Sequence, residues 1–311
     1  MPIAAVSTAK AVQVKSVLVA TDFSQASEKP LRHAVDIARL FGAKFYLMHV
    51  VSSLGFTMTG PDCVAAATEL SWRDARELER DLVESGALNG LRHEVLVRDG
   101  EIWIELERVV QQEHIDLVVI GTHSRGGLGK LVLGSVAEQI FRHASCLVLT
   151  VGPHSPARAQ LEPVCTRRPL LFATDFSEGS LRALPYALSF ANLRETSLVL
   201  LHVLAPVPQL DSARWYTASD VMQARESVHD VTIARLRKLV CDVSLEHEPV
   251  FMAPFGEPAE GILCAAERVH AEAIILGLNP GTHADAMSHL PWSNAYKIVC
   301  GAGCPVLTVR S

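Results

Sequence analysis

The chain has 311 residues, a length that favours two domains, and its formal net charge at pH 7 is −6. Binding to a nucleic acid needs a basic face that neutralises phosphates, so this charge balance argues against a nucleic acid as the main partner. The same balance disfavours tight binding to a membrane surface, and no apolar run reaches the roughly 20 residues that span a bilayer. The sequence before the first predicted strand lacks the pattern of a targeting signal, so we expect a cytoplasmic protein.

The seven cysteines form no C-x-x-C pair, and their number is odd. A disulfide framework is therefore not expected. The thirteen histidines are scattered along the chain and show no zinc-ligand spacing, so we expect no metal site built from protein ligands alone.

In the first half of the chain, short apolar runs alternate with longer stretches of helical periodicity. The runs are nearly continuous in Val, Leu and Ile, as in strands that are buried on both faces of a sheet. This βαβαβαβαβ order predicts a parallel sheet with right-handed crossovers. The predicted strands are Ser16–Thr21, Lys44–Val51, Arg92–Arg98, Leu117–Gly121 and Leu147–Val151, and the predicted helices are Glu28–Phe41, Val64–Ser85, Glu101–Glu113 and Ser135–His143.

The second half repeats the first. The segment VLVATDFSQAS returns as LLFATDFSEGS, so that Asp22 and Asp175 are 153 residues apart (175 − 22), as are His49 and His202 (202 − 49). A proline-rich stretch without apolar periodicity separates the two copies and is typical of a linker. The sequence thus predicts a first domain over residues 1–152, a linker over 153–168 and a second domain over 169–311.

Ligands of an open parallel α/β sheet bind beyond the carboxyl ends of its strands, where the strand order reverses. Asp22 follows the first predicted strand, His49 and Val50 end the second, and a glycine-rich stretch, 121–135, follows the fourth. Glycines let a ligand approach the backbone closely, and a helix that begins at Ser135 offers free N–H groups and a positive dipole end. The stretch is therefore suited to a phosphate or another anion.

Each of these features also has a purely structural interpretation. Ser135 and Glu138 fit an S-x-x-E capping box, which needs no ligand. Asp22 has the chemistry to accept hydrogen bonds from ribose hydroxyls, but equally to close the following turn as an Asx motif. We interpret His49 as a structural hydrogen-bonding residue, because it recurs in the second half, where the glycine-rich stretch is lost.

The known catalytic and dinucleotide motifs are not satisfied. Residues 124–131 approach a Walker A motif but lack its first glycine and its final Ser or Thr, and no G-x-G-x-x-G, G-x-S-x-G or H-E-x-x-H pattern occurs. We therefore assign no catalytic residue.

One longer pattern does match a known family. After the fourth strand, Gly121 is followed at the spacing G-x2-G-x9-G-[ST] by Ser124, Gly134 and Ser135, with serine in place of the second glycine. Together with TDFS after the first strand and HV in the second, this pattern resembles the universal stress proteins, in particular their tandem two-domain members. The resemblance implies two Rossmann-like (HUP-type) α/β domains, each a five-stranded parallel sheet with helices on both faces.

Nucleotide-binding members of that family hold ATP in this cleft. Carried over by motif, Asp22 would lie at the ribose, Val50 would offer backbone hydrogen bonds to adenine and Ala20 would flank the base. The phosphates, with Mg²⁺ as a companion ion, would be lined by Gly121, Ser124, Gly134, Ser135 and Val136. If position 124 needs a positive φ, serine there costs about 1 kcal/mol relative to glycine, so we expect weakened rather than abolished binding.

The second half departs further from the family pattern. Pro280 stands at the second glycine position and has no N–H to donate. Aligned without a gap from the last strand, Trp292 takes the place of Gly134 and Ser293 that of Ser135. Asp285 adds negative charge, and the loop holds no Lys or Arg. We expect the second domain not to bind ATP.

The resemblance implies an ATP-binding stress-response or signalling module. The alternatives are a slow ATPase or autophosphorylating protein, and a nucleotide-free protein–protein interaction module whose partners the sequence does not name. A further alternative is that the cleft of the second half has been reshaped to bind an apolar ligand. The family often pairs two domains through their last strands, so 146–151 and 304–309 are expected to pair within the chain as an internal pseudo-dimer that covers two sheet edges. A homodimer of the chain is compatible with this arrangement.

Overall fold

A computed structural model describes residues 12–51, 61–122, 133–153, 155, 168–206, 217–278 and 290–310. The chain divides into two compact units, of which the first comprises Gln13–Gln160 and Gly303–Thr308 and the second is mainly Leu161–Ala302. Each unit contains a parallel sheet and the helices that connect its strands, which confirms the predicted Rossmann-like α/β fold class.

The first half of the chain forms five parallel strands in the order β3-β2-β1-β4-β5. Four strands have four or more buried residues each, because both faces of the sheet are covered. The strands are β1 (Ser16–Ala20), β2 (Lys44–Val51), β3 (His93–Asp99), β4 (Leu117–Gly121) and β5 (Leu147–Val151), and the helices are α1 (Glu28–Phe41), α2 (Pro61–Glu84), α3 (Ile102–Gln112) and α4 (Ser135–His143).

The second half forms four parallel strands in the order β9-β6-β7-β8. Short helices α5 and α6 replace the single long helix that follows β1 in the first half. The strands are β6 (Leu170–Ala173), β7 (Leu198–Leu201), β8 (Val250–Met252) and β9 (Ala273–Gly277), and the helices are α5 (Glu178–Leu181), α6 (Leu184–Leu193), α7 (Ala218–Lys238), α8 (Pro258–Arg268) and α9 (Leu290–Gly301).

The last strand of the chain, β10 (Val306–Val309), pairs antiparallel with β5 and so extends the first unit's sheet. Leu307 lies opposite Leu149 in the ladder. The buried hydroxyls of Thr150 and Thr308 each donate to a carbonyl oxygen of the opposite strand, that of Val306 and that of Val148, both at 3.2 Å. The expected pairing of 146–151 with 304–309 is therefore confirmed.

Aliphatic side chains fill the interior of both sheets. Leu18 in the first half and Leu171 in the second are fully buried, and a few large rings such as Phe45, Phe141 and Phe172 complete the packing. In the described part of the chain, no helix combines the length and the apolar character needed to cross a membrane.

Candidate functional site

The predicted ligand edge of the first unit is formed by the ends of three neighbouring strands. β1 lies between β2 and β4. After β1 the chain forms β2 and β3 on one side of it, and then β4 and β5 on the other side. Ala20 is the last residue of β1, Val50 lies near the end of β2, and Gly121 ends β4. A parallel sheet opens a crevice at such a reversal of strand order. Three of the predicted site residues therefore lie at one crevice.

The backbone of Val50 faces the β1 side of β2. The carbonyl oxygen of Met48 accepts from the Thr21 N–H at 2.9 Å on that side, whereas the carbonyl oxygen of Val51 accepts from the Gly100 N–H at 3.1 Å on the β3 side. Because peptide groups along a strand alternate in direction, the N–H and C=O of Val50 face the same side as those of Met48. Val50 lies beyond the last residue of β1, so its peptide groups face the crevice.

A cluster of hydroxyls and one carboxylate builds the turn after β1. The Asp22 Oδ1 atom accepts from the backbone N–H of Ser24 at 3.0 Å, from the Ser24 hydroxyl at 2.5 Å and from the Ser27 hydroxyl at 2.7 Å. Phe23 has a φ of 57°, and its N–H donates to the Thr21 hydroxyl at 3.0 Å. Asp22 thus closes an Asx-type turn, as the structural interpretation of this residue predicts.

His49 supports the same turn. Its Nδ1 atom lies 2.7 Å from the carbonyl oxygen of Thr21, and its ring lies 4.5 Å from the Phe23 ring, centroid to centroid. Because a carbonyl oxygen only accepts, Nδ1 carries the proton in this contact. The interpretation of His49 as a structural hydrogen-bonding residue is confirmed.

Gly134 is the N-cap of α4, with φ −61° and ψ 152°. Its N–H donates to the carbonyl oxygen of Thr122 at 3.0 Å, which ties the start of the helix to the residue after β4. The first N–H groups of an α-helix have no partner within the helix, and here they belong to Ser135 and Val136. The structure therefore presents the amino end of α4 next to the end of β4.

The capping-box alternative for Ser135 and Glu138 is wrong. Ser135 is the first helical residue and not the N-cap, so the two residues lack the spacing that a capping box requires. The Glu138 carboxylate instead accepts from the guanidinium of Arg142, one turn further along the helix, at 2.9 Å.

Several predicted positions lie outside the described residues. Ser124, which replaces the second family glycine, falls in 123–132, and Pro280 and Asp285 fall in 279–289. Trp292 and Ser293 belong to α9, but their side chains are not among those described.

The second unit repeats the backbone hydrogen bonds of this turn. The Phe176 N–H donates to the Thr174 hydroxyl at 2.9 Å, the Ser177 N–H donates to Asp175 Oδ1 at 2.9 Å, and Phe176 has a φ of 62°. Burial alone would raise the pKa of Asp175, but hydrogen bonds from Ser177 and Ser180 outweigh it and lower the pKa below its ordinary value. His202 contacts the Thr174 carbonyl oxygen at 2.8 Å, as His49 contacts that of Thr21.

The serine at the start of the following helix is a site residue that the sequence analysis missed. Ser27 donates to Asp22, and Ser180 lies 153 residues later (180 − 27) and bonds the Thr174 hydroxyl at 2.8 Å. The repetition of a hydroxyl at this distance from the aspartate was the available signal. The role of this serine depends on the positive φ of the intervening phenylalanine, which the sequence does not predict.

The part of the chain that the structure describes holds no group of three or more His, Cys, Asp or Glu side chains able to bind a metal ion. What the described edge offers is a carboxylate, hydroxyls, strand-end peptides and a helix amino end. These groups suit a polar ligand with hydroxyls and an anionic part.

Comparison with known proteins agrees with this arrangement. The profile of the universal stress protein family matches residues 13–152 and again residues 166–310. The chain belongs to the universal stress protein family. The two matches also show that it is a tandem member, with one family domain in each half.

Relatives within the family are distant. A universal stress protein of Methanocaldococcus jannaschii is 28% identical over 138 residues, which cover 44% of this chain and 81% of the relative. One of Mycolicibacterium smegmatis is 29% identical over 192 residues, which cover 60% of this chain and 63% of the relative. The crystal structure of a universal stress protein from Archaeoglobus fulgidus has a TM-score of 0.64 at 20% identity, over 96% of this chain and 99% of that one, and supports the fold.

Proposed function

We propose that this universal stress protein is an adenine-nucleotide-binding module of stress response or signalling, in which the first unit holds ATP with Mg²⁺ and the second unit does not. The observation that carries the proposal is the meeting of Gly121, the amino end of α4 and the inward-facing peptide of Val50 at one crevice of the first unit. In the second half, Pro280 and Trp292 stand at the sequence positions that align with two of the family glycines.

The residues present suit the nucleotide. Val50 has one backbone donor and one acceptor facing the crevice, which is the pattern that an adenine edge requires. Ser135 and Val136 offer N–H groups at a helix amino end, where an anion is favoured by the helix dipole. Gly134 adds no side chain between these N–H groups and the end of β4. Bound ATP would supply the phosphate oxygens that hold Mg²⁺, an ion that keeps several waters and takes few protein ligands.

The test begins with the purified full chain. It is denatured, and any released nucleotide is identified by chromatography and mass. We expect about one equivalent of ATP per chain, since one of the two units is proposed to bind. Titration of nucleotide-free protein with Mg-ATP should give the same stoichiometry.

Paired variants separate the two units. Gly134→Trp introduces into the first unit the indole that Trp292 supplies in the second, and we expect it to abolish ATP binding. Asp22→Ala is expected to weaken binding at least about tenfold, because hydrogen bonds to a charged group contribute about 1.5–3 kcal/mol. Asp175→Ala, the matched change in the second unit, should leave ATP binding unchanged.

Two results would contradict the proposal. A chain that releases no nucleotide and gives a flat ATP titration acts by contact alone. Two equivalents of ATP per chain would mean that both units bind it. Loss of binding in Asp175→Ala with retention in Gly134→Trp would mean that the second unit binds it.

A further inference from the structure

The second unit contains a cavity of about 200 Å³ at the carboxyl ends of β6, β7 and β9, walled by α8 and α9. An engineered apolar cavity of about 150 Å³ holds a benzene molecule, whereas pockets for larger ligands run from about 300 Å³ upward. The cavity therefore has room for a small organic molecule but not for a nucleoside triphosphate.

One side of the cavity is apolar. Val203, Ile262, Leu276 and Ile298 line it, and they come from four different elements or their ends. Val203 is held in place by Gly261 of α8, where an added Cβ atom would lie 2.9 Å from both Val203 methyl groups. A ligand that fills this side gains by removing its own apolar surface from water.

The other side carries hydrogen-bond acceptors. The carboxylate of Asp175 lines it and is ionised at neutral pH, since the pKa of this group is lowered by the hydroxyls of Ser177 and Ser180. His202 also lines the cavity, and its Nδ1–H is used by the carbonyl oxygen of Thr174 at 2.8 Å. The neutral imidazole then has Nε2 as an acceptor. This side of the cavity therefore favours a ligand that donates hydrogen bonds.

No positive side chain offsets this carboxylate among the described residues that line the cavity. The guanidinium carbon of Arg235 lies 3.9 Å from the centroid of the Phe176 ring, and Arg235 is not part of the lining. An anionic ligand would meet the negative charge of Asp175 with no cation in this lining to offset it, which is unfavourable at a partly enclosed site.

The space next to Gly277 is closed by backbone. A Cβ atom added at Gly277 would lie 2.1 Å from the carbonyl oxygen of Gly179 in α5. Gly277 corresponds in the repeat to Gly121, which begins the glycine-rich stretch of the first unit. The carbonyl of α5 thus takes up room directly beside the strand end, and it presents an oxygen that repels phosphate.

We propose that the second-unit cavity is a binding site for a small primary ammonium compound with an apolar body, its ammonium group placed at Asp175 and its body against Ile262 and Ile298. The proposal is independent of ATP in the first unit. Under this proposal the second unit binds a cation, whereas the first unit binds an anion.

Three probes of one shape and different charge test the proposal on the full-length chain: benzylamine, benzyl alcohol and benzoate, followed by ligand-observed NMR and calorimetric titration. We expect saturable binding of benzylamine, binding of benzyl alcohol that is weaker by about tenfold or more, and no binding of benzoate. Saturating Mg-ATP should not displace benzylamine.

Variants locate the site. Asp175→Asn should weaken benzylamine at least about tenfold and leave benzyl alcohol unchanged, whereas Asp22→Asn in the first unit should affect neither probe. Ala295→Phe, which places a ring in the cavity lining, should abolish binding of all probes. Binding of the three probes to the unaltered chain tests the proposal even if a variant fails to fold.

The proposal is overturned by any of three results: benzoate that binds as tightly as benzylamine, displacement of benzylamine by Mg-ATP, or the absence of saturable benzylamine binding up to about 10 mM, where a site of this size with one charged contact should be occupied.

Discussion

The aspartate turn after the first strand of each half is a structural element that both halves of the chain share. Asp22 and Asp175 accept the same backbone N–H two residues later, and Phe23 and Phe176 adopt the same left-handed conformation. The second half keeps the turn although its loop after β9 has lost the family glycines. The TDFS segment therefore identifies the fold, and the residues around Gly134 discriminate between the two units.

Burial controls the reactivity of Cys146, which precedes β5. Burial first, and the negative charge of Glu107 second, raise the pKa of this thiol to about 12. Because the thiolate is the nucleophile, we expect Cys146 to resist iodoacetamide in the native protein at pH 8. Peptide mass spectrometry of the labelled chain measures this resistance.

The internal controls for this labelling are Cys241 and Cys264, which are exposed and should react first. In urea, Cys146 should become as reactive as they are. If Cys146 of the native protein reacted as fast as Cys241, its thiol would be accessible and ionised, and this prediction would be wrong.

At the scale of elements, a buried ion pair joins the end of α6 to the start of β9. The guanidinium of Arg194, 8% exposed, lies 2.7 Å from the carboxylate of Glu272, which is 20% exposed. Removing one partner leaves a buried charge uncompensated, so Arg194→Ala should lower the free energy of unfolding by about 3–5 kcal/mol. Urea denaturation followed by circular dichroism measures the change.

A matched pair serves as the control. Arg182 and Glu178 are also 2.7 Å apart but are 37% and 84% exposed, so water screens them. Arg182→Ala should cost about 1 kcal/mol or less. Equal costs for the two variants would mean that burial does not govern the strength of these pairs.

The approach of α5 to β9 requires glycine at position 277. Because an added Cβ atom would lie 2.1 Å from the Gly179 carbonyl oxygen, Gly277→Ala must displace backbone. We expect a loss of about 1–3 kcal/mol, as for overpacked sites. Thermal and urea unfolding of the variant would show it.

Gly303→Ala is the matched glycine variant, because nothing lies within 4 Å of a Cβ atom added there. Its stability should stay within about 0.5 kcal/mol of the parent chain. If Gly277→Ala left the stability unchanged, α5 and β9 would not approach as closely as described.

The strands of the first half were predictable from sequence almost to the residue. Nearly continuous apolar runs placed β2, β4 and β5 at their observed bounds, and the helical pattern placed α1 at Glu28–Phe41, as observed. The start of α2 lies three residues earlier than predicted, at Pro61 rather than Val64, because proline is favoured in the first helical turn.

The candidate site was less predictable, because it depends on turn geometry. The sequence placed Asp22, Val50 and Gly121 at one sheet edge, since all follow or end parallel strands. It did not reveal that Ser27 holds Asp22 in place, nor that Gly134 and not Ser135 caps α4. Both depend on backbone dihedral angles that the residue types alone leave undecided.

At the scale of the whole molecule, the sheet of the first unit is completed by the last strand of the chain. Deleting 303–311 would expose the edge of β5, whose Val148, Leu149 and Thr150 lie opposite β10. Exposed apolar edges recruit other strands, so we expect the shortened chain to self-associate and to unfold at lower temperature. Analytical ultracentrifugation and calorimetry measure the two effects.

Thr150→Val with Thr308→Val is the milder comparison, since it removes two hydroxyl bonds across the ladder but keeps the backbone pairing. The double variant should remain in the association state of the parent chain. A shortened chain that behaves like the parent would show that β5 does not need β10.

The position of β10 in the first unit also orders events during synthesis. Residues 303–308 reach the sheet only after residues 153–302 have been translated, which takes about 8–30 s at about 5–20 residues per second. During that interval the nascent chain carries an unprotected β5 edge outside the ribosome. A chaperone that binds exposed strand edges would be displaced once β10 pairs with β5, so profiling of chaperone contacts on nascent chains should show occupancy that persists until residues 303–308 have been made.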